Sequence, residues 1–153
     1  MDSGASSQEH FPEHDFDPQK LSLRVQVTLA ADRKSVDPVV HQVMEAIHDV
    51  HCVDGKEDAI ELALQEALAN AVVHGAKEDP SKVVECIVAC DDLRGVLIIV
   101  RDPGEGFDPN AIPACTVGEN LYSNHGRGIF LINQLMDEVK FHKNGTEIHM
   151  VKR

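Results

Sequence analysis

No stretch of this chain is apolar for long enough to cross a bilayer, and its opening residues, MDSGASSQEHFPEHDFDPQK, carry neither a basic start nor an apolar segment that would direct secretion. The expected setting is cytoplasmic. Basic residues are scarce: 14 Lys and Arg against 26 Asp and Glu leave a formal charge of −12. That balance argues against reading a nucleic-acid backbone, which needs clustered cations, and suits a basic protein partner better. The four cysteines, Cys52, Cys86, Cys90 and Cys115, contain no CxxC pair, so reduced, idle thiols are expected in an intracellular chain. Among nine histidines, His41, His48 and His51 would share a helix face beside Cys52. No second thiol or carboxylate is spaced to complete a metal site there. There is no internal repeat.

What is present suffices for one domain of 153 residues with a sizeable core. Residues 1–19 are polar and aperiodic and read as a disordered acidic tail, leaving residues 20–153 as the folded unit. LSLRVQVTLA alternates as a half-buried strand. A helix follows it, opening at Ser35 or Asp37 before Pro38. A second helix is expected from a capping box of Asp54 with Glu57 to a left-handed stop at Gly75. Val83–Ala89 and Val96–Val100 make a hairpin, the second run apolar throughout, as in a strand covered on both faces. An aperiodic stretch then leads to helical spacing through Ile129, Phe130, Ile132 and Leu135. A last hairpin turns tightly at Asn144–Gly145, which sets Val139 against Met150 and Phe141 against Ile148. The pattern predicts an α+β fold, with helices on one face of a mixed, mostly antiparallel sheet.

Chemistry concentrates in three places. EALANAVVHG, residues 66–75, is small or apolar except for Glu66, Asn70 and His74, which recur every fourth residue and so form one band on a helix. An exposed polar face would show the same band, but Ala59, Ala63 and Ala67 beside it leave room for a ligand. RDPGEGFDP leaves the buried strand through Asp102, with Gly104 and Gly106 allowing close approach. It is either a plain turn or the end of an adenine pocket whose acid accepts from the exocyclic amine. Guanine there would leave a buried acceptor unpaired, at about 1–3 kcal/mol. HGRGIFLI puts Gly126, Arg127 and Gly128 at a helix start, a favourable place for phosphate.

In this order, the three segments resemble the nucleotide-binding boxes of the ATPase superfamily that unites gyrase, the heat-shock chaperone, mismatch-repair proteins and histidine kinases. With GRGIFLINQLMDEV and the closing GTEIHMVK, the chain from about Leu21 onward is similar to the small anti-sigma factor serine/threonine kinases of bacterial partner-switching systems. The resemblance implies a two-layer α/β sandwich of the Bergerat type. It implies Glu66 as the general base, Asn70 as the ligand of Mg²⁺, and Asp102, Gly104 and Gly106 at the adenine of ATP. Gly126, Arg127 and Gly128 would close on the phosphates, residues 108–125 would form the lid, and Thr146 would support Asp102 by hydrogen bonding. His74 receives no catalytic role.

The implied activity is phosphorylation of a serine or threonine on a small anti-anti-sigma protein, with a sigma factor as the other partner and a homodimer as the expected assembly. The alternative is a catalytically silent ATP-binding module that sequesters a protein. Two departures from the pattern stand out. No upstream helix pair carries a phosphoacceptor histidine and the lid is not Lys-rich, so an autophosphorylating histidine kinase is disfavoured. His125 also occupies the place before the second glycine box where a small or acidic residue is expected.

Overall fold

The computed structural model describes residues 16–104 and 124–153. Residues 1–15 of the expected tail, Gly106 and most of the expected lid lie outside them. The elements follow the expected order: β1 (Leu23–Ala30), α1 (Val36–Val50), α2 (Glu57–Asn70), β2 (Val83–Asp91), β3 (Gly95–Arg101), α3 (Asn124–Leu135), β4 (Glu138–His142) and β5 (Glu147–Lys152). The five strands form one sheet in the order β1-β2-β3-β5-β4, with antiparallel pairing throughout. The last hairpin has the register read from its period, Val139 opposite Met150 and Phe141 opposite Ile148.

The main core lies between the helices and one sheet face. From α1 come Val40, Val43 and Ile47, from α2 Ile60, Leu64 and Leu68, and from the sheet Val88, Ile98 and Met150. The opposite face is also dry. Ile87, Ala89, Leu97, Ile99 and Val151 form a second cluster with Phe16, which is 4% exposed, and Leu21 packs against it. The uninterrupted apolar run of β3 is explained by this second layer, because Leu97 and Ile99 point away from the helices. Along the same face Glu147 is buried, bonded by Arg101 Nε at 2.8 Å and by His149 Nε2 at 2.7 Å. Burial pushes its carboxyl upward, but the His149 and Arg101 interactions outweigh this and hold it below the usual range.

α1 opens at Ser35, one of the two expected positions, but the Ser35 side chain caps nothing: its amide and hydroxyl donate to the Asp32 carboxylate at 2.9 and 3.1 Å, closing a 3₁₀ turn before the helix. No Asp54–Glu57 box forms. Glu57 reaches back to the Gly55 amide and across to His48, while Asp54 bonds His51. Those ion partners, with Glu45 beside His41, account for the histidines of the α1 face. Among the described residues, no cluster of three or more His, Cys, Asp or Glu could hold a metal. Nor is any described helix long and apolar enough to cross a membrane. The thiols differ from expectation too: Cys52 and Cys90 are joined in a disulfide, and Cys86 is free and buried.

Phe16 tests whether the segment before β1 belongs to the fold. Phe16→Ala is expected to cost about 3 kcal/mol, the lower end for a buried phenylalanine. A shift of the urea midpoint equivalent to less than about 1 kcal/mol would remove Phe16 from the core.

Candidate functional site

α2 does not stop where a helix of its sequence should. After Asn70 the backbone widens into a π turn, Ala71–Gly75, in which the Ala76 amide donates to the Ala71 carbonyl at 2.8 Å. The left-handed residues that end it are Lys77 (φ 58°) and Glu78 (φ 55°) rather than Gly75. Gly75 has a different task. A Cβ there would stand 2.2 Å from Asp102 Cγ, so the missing side chain is the space that the carboxylate occupies. Gly104 interlocks in turn, since its Cβ would stand 2.1 Å from the Gly75 carbonyl oxygen. Its amide donates to Asp102 Oδ1 at 2.8 Å.

Asp102 is therefore held between two glycines at the end of β3, half-buried. Burial raises its pKa above the usual carboxylate value, opposed by the Gly104 amide. Its own amide donates to the Thr146 carbonyl at 2.9 Å. Thr146 thus meets Asp102 through its backbone, while its hydroxyl donates to the Lys143 carbonyl at 2.8 Å. The turn that carries Thr146 is longer than the expected two residues: Lys143, Asn144 and Gly145 all adopt positive φ, and His142 pairs with Glu147 across it.

Asp102 opens onto a cavity of about 320 Å³. Its walls are Val100, Ile129, Phe141 and Ile148, with the small Ala67 and Ala71 of α2 giving it width. A flat apolar ring with one amine to donate matches this combination of smooth walls and a single half-dry acceptor. Asn70 and His74 line the cavity and also a second, open groove of about 620 Å³, which contains Glu66, Arg127 and Gly128. The two spaces meet along the polar band of α2. Gly128, in the first turns of α3, is pressed onto that band: a Cβ there would stand 2.9 Å from Glu66 Oε1 and 3.1 Å from Asn70 Nδ2. The acid and the amide are thereby brought together with Gly128, which lies 58 residues beyond Asn70 in sequence. Gly126 lies in the same opening turns of α3.

Two residues of the site escaped sequence reading. Lys77 lines the cavity, and Arg33 lines the groove while binding Glu78 with both ends of its guanidinium, at 3.0 and 3.2 Å. Both stand in turns, and only folding brings them to α2; no local pattern marks them. Together with Arg127 they give the site of an acidic chain a cationic rim. His74 lies among them. Burial foremost, then Lys77 and Arg33, lower its pKa below the ordinary histidine value, so it stands as a neutral imidazole at pH 7. Among the described residues the donor set fits magnesium-bound nucleotide: one amide oxygen at Asn70, no competing cage of carboxylates, and cations where phosphates would lie.

The interlock makes two variants informative. Gly75→Ala in a helical turn ordinarily stabilises, but here the methyl group collides with Asp102. Loss of about 1–3 kcal/mol and at least tenfold weaker nucleotide binding are expected by chemical denaturation and titration calorimetry; unchanged binding would show that Asp102 does not need its present position. Asp102→Asn is expected to separate the two quantities. A carboxyl whose folded pKa is raised contributes stability below its unfolded pKa and loses it as pH rises, so at pH 7 the ionised side chain lowers stability. The amide should therefore match or exceed the wild-type melting temperature while nucleotide affinity falls about 10- to 100-fold.

The chain also matches known proteins. The family model described as histidine kinase-like ATPase domain matches residues 29–152. The chain is 29% identical to an anti-sigma F factor of Bacillus cytotoxicus over 132 residues, 82% of this chain and 80% of that protein. It is 35% identical to the serine-protein kinase RsbW of Staphylococcus epidermidis over 108 residues, 65% of this chain and 66% of that protein. An anti-sigma F factor of Anoxybacillus flavithermus is 28% identical over 132 residues, with 82% and 80% covered. The match runs from the end of β1 through β5 and takes in Glu66, Asn70, Asp102 and Gly128, and on that ground the chain belongs to the histidine kinase-like ATPase family.

Proposed function

We propose that the chain is an ATP-dependent serine/threonine protein kinase that acts as an anti-sigma factor, phosphorylating a small anti-anti-sigma protein and holding a sigma factor by turns. The observation that carries the reading is the contact of Gly128 with both Glu66 and Asn70 at the junction of an adenine-sized cavity and an open groove. A nucleotide base in the cavity directs its phosphates past Asn70 toward the groove. A protein hydroxyl entering the groove from solvent meets Glu66 there. The names of the relatives, a serine-protein kinase and anti-sigma F factors, support the same assignment.

In this reading each side chain has one task. Asp102 accepts from the adenine amine and rejects guanine. Asn70 offers its amide oxygen to Mg²⁺, which when bound neutralises charge on the phosphates. Arg127, with Arg33 and Lys77 near by, adds positive charge at the mouth. Glu66 orients the serine or threonine hydroxyl and takes its proton as the oxygen attacks the terminal phosphorus, with ADP as leaving group. Positioning and charge neutralisation are what phosphoryl transfer chiefly needs.

Glu66→Gln keeps the shape of the groove and removes the base. ATP affinity is expected to stay within a few-fold, and transfer to an anti-anti-sigma protein to fall by at least about 100-fold, measured by phosphate incorporation on the partner. Tight ATP binding by the unmodified chain with no phosphoserine or phosphothreonine on any partner would leave a silent binding module instead.

A further inference from the structure

Cys52 and Cys90 lie 38 residues apart, yet their Cα atoms stand 6.1 Å from one another with the sulfurs joined. A disulfide spans that Cα separation without backbone movement. The two positions differ in access. Cys90 is fully buried near the end of β2, on the helix-facing side and opposite Leu23 and Val96. Cys52 is half-buried in the turn between α1 and α2, next to His51, whose ring lies 5.8 Å from that of His48. Cys86 is a built-in contrast: it is fully buried in the core, and burial pushes its thiol up to about 12, which leaves it unreactive.

We propose that Cys52 and Cys90 form an oxidant-responsive site, which hydrogen peroxide converts from a thiol pair to an intramolecular disulfide and a dithiol reductant converts back. Access sets the order of events. The Cys52 thiolate attacks one peroxide oxygen, the O–O bond breaks, and the departing hydroxide takes up the thiol's proton as water, leaving a sulfenic acid. Cys90 then attacks that sulfur, the S–O bond breaks, and a second water leaves as the S–S bond forms. Two thiols lose two electrons and the peroxide gains them. Exchange with a dithiol reverses the change.

The bond ties the turn that leads into α2 to the end of β2. In the thiol form that end of the helix is held by the packing of Val53, Ile60 and Leu64. The bridge adds a covalent restraint, and in the unfolded chain it closes a loop of nearly 40 residues. Asn70 lies about 20 Å further along the helix at 1.5 Å per residue, so the principal effect falls on stability and not on the nucleotide cavity. The melting temperature of the oxidised form is expected to lie about 5–15 °C above that of the reduced form.

The test treats the full chain with hydrogen peroxide, unfolds it, and counts maleimide-reactive thiols by mass. Two of the four should disappear and return with dithiothreitol, and a peptide map should join the Cys52 and Cys90 peptides within one chain. Cys86→Ser and Cys115→Ser should keep the loss and the thermal shift, while Cys52→Ser should abolish both. The peptide map needs no variant, so a folding defect in Cys90→Ser leaves the test intact. A bridge to Cys115, a bridge between chains, oxidation to sulfinic acid without a bridge, or no thiol loss would each overturn the proposal.

Discussion

The carboxylate of Asp102 stands where Gly75 has no side chain, and the geometry of the site follows from that contact. A charged group at the end of an apolar strand is tolerated only when backbone donors and a ligand can serve it. Here one donor is the Gly104 amide, and the approach of Gly104 to the Gly75 carbonyl fixes both backbone segments around the acid. The π turn, closed by the bond from the Ala76 amide to the Ala71 carbonyl, ends at Gly75, which lies against Asp102. Asn70 and His74 sit at the two ends of the same widening and therefore face the cavity and the groove at once.

Charge works on two scales. The acids of α1, Asp37, Glu45 and Asp49, lie exposed to solvent, whereas Arg33, Lys77 and Arg127 line the cavity and the groove. A neutral His74 among them avoids adding a fourth cation that an empty site would have to accommodate. Arg33 spends part of its charge on Glu78, which also spans the gap between the approach to α1 and the turn after α2. The ion pair is exposed on both sides, so it orients more than it stabilises.

Features governed by a short period were legible in the sequence. The band of Glu66, Asn70 and His74 needs only 3.6 residues per turn, and the pairing of Val139 with Met150 needs only alternation. Features set by distant contacts were not. Gly75 reads as a helix stop because glycine commonly ends helices, but its partner is Asp102, on another element. Asp54 and Glu57 match a capping box, but His51 and His48 compete for their carboxylates. The Cys52–Cys90 contact depends on how the α1–α2 turn meets the sheet. The second apolar layer was half visible: β3 announced a covered face, and nothing near Phe16 identified the cover.

The position of β5 bears on how the molecule is made. It lies between β3 and β4, pairing with both, so residues 147–152 fill the interior of the sheet and not its edge. Until the ribosome has released that strand, β3 lacks one neighbour and β4 has none. Asp102 meanwhile lacks the Thr146 carbonyl for its amide. The nucleotide cavity, walled by Ile148, thus takes shape only after β5 has been made.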